Sequence, residues 1–213
     1  MTHSLRKLAL PIVALAATVA LTSCGTSSSG VHNTTGMGGA SSSAPVASGT
    51  PAVGDKNKDD TLFATMMIPH HAQAVAMADL ALKQATDTKV KALASTIKEA
   101  QGPEIARMSG WLTGWGAPVP GTAGGSGMPG MGEQTGGMMS TQQMTDLGTA
   151  KGPAFDRMWL QMMVEHHQGA VAMAKDELTQ GANPEAKQLA QVIIDSQSKE
   201  IAEMSSILTG IPG

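Results

Sequence analysis

Apolar side chains recur every three or four positions along most of the chain after residue 55, which is the spacing of an amphipathic helix. This spacing predicts four long helices, at about residues 59–84, 87–115, 153–180 and 183–208. A Ser-Thr-Gln-Gln capping box predicts a shorter helix from Ser140 to about Ala150. Together these helices predict an all-α protein.

A segment with two adjacent histidines occurs twice. Residues 66–78 read MMIPHHAQAVAMA and residues 162–174 read MMVEHHQGAVAMA, at a constant offset of 96 positions. The offset continues outside the segment, since it also relates Asp60 to Asp156. A constant spacing over this range indicates a duplicated pair of helices. Two duplicated helix hairpins joined by a long connection predict a four-helix bundle.

The first 23 residues have the organisation of a secretion signal. Arg6 and Lys7 precede an apolar stretch, residues 8–21, that is short for a membrane span. The stretch ends in Leu-Thr-Ser-Cys, which resembles a bacterial lipobox. This resemblance implies cleavage before Cys24 and a diacylglycerol on its sulfur, so we expect a protein anchored in the outer face of the cell membrane. The alternative is an ordinary signal peptide with an incidental cysteine.

Composition divides the rest of the chain. Residues 24–54 are rich in Ser, Gly and Thr and are expected to form a disordered tether. The bundle domain is expected at residues 55–213, with its repeats at 55–115 and 151–213. The connection at 116–139 is rich in Gly and Met, and a flexible segment is expected there. Two explanations of its methionines are open. They bind a soft metal ion, or they accumulated without function in a low-complexity segment.

Charge and residue counts narrow the class of function. The net charge is −3 and there is no basic block, which argues against a nucleic-acid partner. The single cysteine excludes disulfides within the chain. Sixteen methionines supply many soft thioethers. The sequence has no Ser-His-Asp, Cys-His or Walker motif that would indicate an enzyme. A binding role is therefore favoured, and enzymatic activity is left open.

Four of the six histidines form the two repeated pairs, and methionines precede each pair by about one helical turn. Imidazole and thioether groups on one helix face suit copper, with zinc and iron as alternatives. A glutamate on the core-facing stripe of the second helix in each hairpin needs a partner and could face the histidines. The candidate ligands are His70, His71, His166, His167, Met67, Met163, Met66, Met162, Glu104 and Glu200. The alternative is that the histidines only form hydrogen bonds in a structural polar layer.

The motif Asp-x-x-aromatic-x-x-x-Met-x-x-His-His-x-x-Ala-x-x-Met-Ala occurs in both copies and resembles the signature of domain-of-unknown-function family 305. The resemblance implies a secreted or lipid-anchored, ferritin-like four-helix bundle, and some periplasmic members bind copper. Carried over by position, the motif adds Asp60 and Asp156 to the candidate metal ligands. The chain departs from the commoner pattern at Ala72-Gln73, where the second copy has Gln168-Gly169. We expect this departure to loosen helix packing in the first half.

Three functions follow from these observations. The first is an extracytoplasmic protein that sequesters or handles copper, with the metal ion and the membrane as its partners and homo-oligomerisation left open. The second is a ferritin-like dinuclear-metal oxidoreductase, although the Glu-x-x-His motifs of such sites are missing from the sequence. The third is a non-catalytic interaction module with structural histidines.

Overall fold

The computed structural model describes residues 55–122 and 136–211. The helices in these ranges are α1 (Lys58–Gln84), α2 (Thr88–Gly114), α3 (Thr141–Thr149), α4 (Gly152–Gln180) and α5 (Pro184–Gly210). Neither range contains a strand, so the predicted all-α fold is confirmed, and the helix bounds lie within one or two residues of prediction. The predicted secretion signal, the predicted tether with Cys24, and Met128 and Met131 of the predicted flexible connection lie outside the described residues.

Polar side chains fix where the helices begin. Asn57 caps α1 by accepting hydrogen bonds from the amides of Asp59 and Asp60, and the Asp60 carboxylate accepts one back from the Asn57 amide. Asp87 caps α2 and Asn183 caps α5, each through two backbone amides. Such caps satisfy amides that have no partner within the helix. The predicted starts at residues 87 and 183 therefore have a physical cause.

Helices α1 and α2 form one hairpin, and α4 and α5 form the other. The hairpins meet mainly where α1 packs on α4, and α3 lies against α4. Asp60, at the start of α1, binds the loop that follows α4, while Asp156, at the start of α4, binds the loop that follows α1. Helices α1 and α4 are therefore antiparallel, and the two hairpins are related by an approximate two-fold axis near their midpoints.

Two apolar clusters fill the bundle. One contains Met77, Phe155 and Trp159, and the Trp159 indole donates to the carbonyl oxygen of Met77 over 2.9 Å. The other contains Phe63 and Met67 with the buried residues of the first half of α5, while Met204 and Ile207 of α5 belong to the first cluster. The α1 residues of the clusters end at position 68 and resume at position 74, so the histidines of α1 lie at their boundary. No helix in the described ranges is long and apolar enough to span a bilayer.

Candidate metal centre

His70 and His166 face each other across the contact between α1 and α4. Their ring centroids are 3.7 Å apart and the ring planes are tilted by 39°. Their relative exposures are 0% and 1%, so both rings are buried inside the bundle. The antiparallel crossing of two similar helices brings these equivalent residues together near the two-fold axis.

The facing rings have buried polar atoms without hydrogen-bond partners. Neither ring nitrogen of His70 or of His166 makes a hydrogen bond of normal geometry, although the Gly136 carbonyl lies near the His70 ring and the His70 carbonyl lies near the His166 ring. The Nδ1 atoms of His71 and His167 also lack partners. Buried polar atoms in folded proteins almost always have a partner, because leaving one unsatisfied costs about 1–3 kcal/mol. Six orphaned nitrogens in one layer therefore indicate a site for a ligand.

Burial also sets the protonation of the facing pair. Burial, with smaller contributions from the neighbouring histidines His71 and His167, lowers the pKa of His70 to about 3, against an opposing effect of the Gly136 carbonyl. Burial and the other three histidines hold the pKa of His166 well below its ordinary value. Both rings are therefore neutral at pH 7. A neutral imidazole has a free lone pair, which is the form that binds metal.

The second histidine of each pair contacts a glutamate of the neighbouring helix. His71 Nε2 lies 2.8 Å from Glu104 Oε2, and His167 Nε2 lies 2.8 Å from Glu200 Oε2. This arrangement confirms that the glutamate stripe faces the histidines. An Nε2–H that donates to the carboxylate leaves the lone pair on the buried Nδ1. Carboxylates orient metal-binding histidines in this way.

The polar layer extends to two glutamines. Gln101 and Gln197 are each 2% exposed and precede the glutamates by three residues on the same helix face. Both amide atoms of Gln101 and the Oε1 atom of Gln197 lack hydrogen-bond partners. The layer therefore contains further buried polar atoms without partners, of which only the amide oxygens have lone pairs for a metal ion.

The candidate methionines fall in different places. Met67 and Met163 are fully buried, three residues before the facing histidines, so each is a neighbour on the same helix face. Met162 is also buried and belongs to the apolar cluster around Trp159. Met66 is half-buried and lines an open groove together with Met173. Met163 belongs to the same apolar cluster as Met162, and Met67 belongs to the other cluster, so both pack in the core one helical turn from the facing histidines.

The candidate carboxylates Asp60 and Asp156 bind backbone groups. Asp60 Oδ1 accepts from the amides of Ala182 and Asn183 over 3.0 and 2.8 Å. Asp156 accepts from the amides of Thr86 and Asp87 over 3.0 and 2.9 Å, and from the Thr86 hydroxyl. Each aspartate precedes its histidine by ten residues, or about 15 Å along the helix. These contacts account for both residues as anchors of the interhelical loops, and their role as metal ligands stays a prediction.

Sequence reasoning missed Glu177, a buried acid that is 2% exposed. Burial and the adjacent carboxylate of Asp60 raise the pKa of Glu177 to about 8. Burial would raise the pKa of Asp60 as well, but hydrogen bonds from backbone amides and from Glu177 lower it. A Cβ atom on Gly181 would overlap the Glu177 carboxyl group, so that glycine makes room for it. The repeat partner of Glu177 is Ala81, so the duplication carried no signal for this residue.

The donor set limits the chemistry of the site. Within residues 55–122 and 136–211, no three His, Cys, Asp or Glu side chains converge in an arrangement that could hold a metal ion. Structural zinc takes four such donors, and ferritin-like dinuclear sites take several glutamates. The layer instead offers facing imidazoles with thioethers beside them, a set that suits a soft ion.

The fold and this layer define a class of protein: an all-α bundle of two similar helix hairpins with paired imidazoles in its interior. The family described as "Domain of unknown function (DUF305)" matches residues 60–208. The chain belongs to this family.

Solved structures of relatives have the same fold. A DUF305 protein of Streptomyces coelicolor, provisionally described as secreted, is 34% identical with a TM-score of 0.64, covering 71% of this chain and 93% of that chain. CopM in a Cu(II)-bound form is 37% identical with a TM-score of 0.61, covering 71% of this chain and 96% of CopM. CopM structures in Cu(I)-bound, silver-bound and apo forms are similar as well.

A shorter similarity connects the chain to uncharacterized protein L153 of Acanthamoeba polyphaga mimivirus. The two are 45% identical over 53 residues, which is 25% of this chain. The matched part spans 35% of the length of the viral protein.

Proposed function

We propose that this protein binds copper, as Cu(I), between His70 and His166, and that it buffers or hands on the ion outside the cytoplasm. The observation that carries the proposal is the pair of buried, neutral imidazoles whose ring nitrogens have no partner. Rotation of the two rings would direct one nitrogen from each at a shared ion. Bound copper would then satisfy atoms that are costly to leave unpaired.

The neighbouring side chains support a soft ion in particular. The thioethers of Met67 and Met163 lie one turn from the facing rings, and thioether ligands select Cu(I). His71 and His167 neighbour this pair, each held by its glutamate, but they do not complete a set of three converging side chains within the described residues. Zinc fits less well, because its structural sites are closed by four cysteine, histidine or carboxylate donors.

The relatives support the same class of ligand. CopM has been obtained with Cu(II), Cu(I) and silver bound, and it covers the bundle of this chain at 34–37% identity. Silver(I) and Cu(I) are both soft monovalent ions. A copper role for this chain is therefore consistent with what its relatives bind.

The proposal includes a location. The secretion signal and lipobox in the sequence support export and lipid attachment at Cys24, on the outer face of the cell membrane. Mass spectrometry of the protein from the membrane fraction tests this directly. A mature chain that begins at a diacylglyceryl-modified Cys24 is expected. An unmodified chain released from the membrane would contradict the anchor.

Native mass spectrometry during titration with Ag(I) and Cu(I) tests the metal proposal. The full chain is expected to bind at least one ion more than a His70→Leu/His166→Leu variant. His32→Leu, which removes an imidazole outside the described helices, is the matched control and should leave uptake unchanged. Equal uptake by wild type and the double variant would refute the site. Two bound irons with oxygen consumption would instead favour the dinuclear oxidoreductase.

A further inference from the structure

The connection between the two hairpins returns to the bundle as a strap, residues 136–140. Gln73 of α1 holds this strap by two hydrogen bonds to one residue. Its Nε2 donates to the Met139 carbonyl oxygen over 2.8 Å, and its Oε1 accepts from the Met139 amide over 2.7 Å. Gln73 is 1% exposed and the Met139 side chain is buried in the apolar cluster around Trp159. The strap is therefore fixed to the bundle at one point by a buried amide.

Glycines let the strap lie directly on the backbone of α4. A Cβ atom on Gly169 would overlap the carbonyl oxygen of Gly136. Gly137 has φ of 86°, and a Cβ there would lie 2.5 Å from the Glu165 carbonyl oxygen. Only residues without side chains fit such an approach.

The strap lies over the facing histidines. Gln73 follows His70 by three residues and Gly169 follows His166 by three, so both lie on the faces of α1 and α4 that carry the facing rings. The Gly136 carbonyl is close enough to His70 to favour its protonated form. The strap thus covers the pair from outside, where α1 meets α4.

This position explains the difference between the repeats. Residues 73 and 169 are equivalent in the duplicated sequence, but one is glutamine and the other is glycine. A single strap crosses the two-fold axis, so one helix must bind it and the other must make room for it. The departure at Ala72-Gln73 therefore has a structural function beyond the expected loosening of helix packing.

We infer that the strap is the gate through which metal ions reach His70 and His166, and that Gln73 is its latch. The inference rests on the proposed function, because it concerns access to the same histidines. Both rings are at most 1% exposed, so an ion reaches them only after part of the structure moves. The strap is short, has two glycines, and is held at Met139 alone, by the two hydrogen bonds to Gln73 and by the buried Met139 side chain, so it is the covering segment with the fewest attachments to break.

Two substitutions release the strap by different routes. Gln73→Ala removes both hydrogen bonds to Met139. Gly169→Ala places a methyl group against Gly136, while alanine suits the helix better than glycine. Gln161→Ala, at an exposed position of α4, is the control for the first. Gly110→Ala, in α2 with nothing within 4 Å of the added Cβ, is the control for the second.

Access is measured in the metal-free full chain by the rate at which diethyl pyrocarbonate modifies His70 and His166, resolved by peptide mass spectrometry. Loss of two hydrogen bonds raises the open fraction by about 5- to 100-fold. Both variants are therefore expected to be modified at least about 5-fold faster than wild type. Hydrogen exchange at the Met139 amide should accelerate by a similar factor. The controls should behave as wild type.

Stopped-flow binding of Ag(I) gives the second readout, and its rate constant should rise by a similar factor in both variants. Faster modification without faster silver binding would overturn the gate, and so would unchanged rates in both assays. If silver bound neither wild type nor variants, the proposed function would fail, and the modification rates would still decide whether the strap controls access.

Discussion

Replacement of both facing histidines by leucine should make the metal-free protein more stable. Burial of a polar side chain without a partner is unfavourable, and His70 and His166 are two such side chains at the centre of the bundle. Leucine is apolar and of comparable size. A residue kept for binding costs stability in the absence of its ligand, whereas a residue kept for structure stabilises the fold.

The magnitude follows from the unpaired atoms. A neutral imidazole has one donor and one acceptor, so the facing pair leaves four buried polar atoms unsatisfied. Each costs about 1–3 kcal/mol. The imperfect fit of a new side chain costs about 1–3 kcal/mol per site. When the low ends and the high ends of these ranges are paired, the net gain in the free energy of unfolding is about 2–6 kcal/mol. Each kcal/mol raises Tm by about 2–4 °C for a domain of this size.

Urea unfolding of the chelator-treated full chain at pH 7 measures this difference. The wild type should also lose stability as the pH falls from 6.5 toward 3. Over that range the unfolded chain binds protons that the buried rings do not accept, so the leucine variant should lose less stability than the wild type over the same range. His71→Leu/His167→Leu is the control, with the opposite sign expected, because it leaves two glutamates without their partners. A leucine variant at 70 and 166 that is less stable by 1 kcal/mol or more would refute the binding interpretation.

Two further predictions concern the ends of the bundle. Glu177→Gln should raise stability at pH 9 by up to a few kcal/mol and change little near pH 4.5. The folded protein holds a proton on Glu177 up to about pH 8, whereas the unfolded chain releases it near pH 4.5, so the wild type loses stability between these two values. Unfolding curves of wild type and variant that coincide at pH 9 would refute this. Asp156→Ala should lower the free energy of unfolding by about 2–4 kcal/mol, because it strands two amides and a hydroxyl at the loop after α1. A loss below 0.5 kcal/mol in urea unfolding would show that water replaces these contacts.

Much of the fold could be predicted from the sequence because local rules determine it. Helical spacing and side-chain caps such as Asp87 and Asn183 set the helix bounds, and the repeat set the pairing into hairpins. The contact between the glutamate stripe and the histidines could be predicted too, since a carboxylate on a core-facing stripe needs a partner.

The remaining features depend on how the two hairpins pack together. Helical spacing places His70 and His166 on the apolar faces of their helices, but the direct contact of the two rings depends on how α1 crosses α4, which spacing leaves open. The loop contacts of Asp156 join residues about 70 positions apart. The strap lies in a glycine-rich stretch without periodicity. Its latch, Gln73, could be recognised only once the strap had been located.

X-ray absorption of the Cu(I)-loaded full chain tests the central claim most directly. Imidazole scattering from two histidines is predicted, together with sulfur from a thioether, and the imidazole signal should disappear in the His70→Leu/His166→Leu variant. A sulfur-only shell that is unchanged in that variant would place the ion on methionines elsewhere and contradict the account.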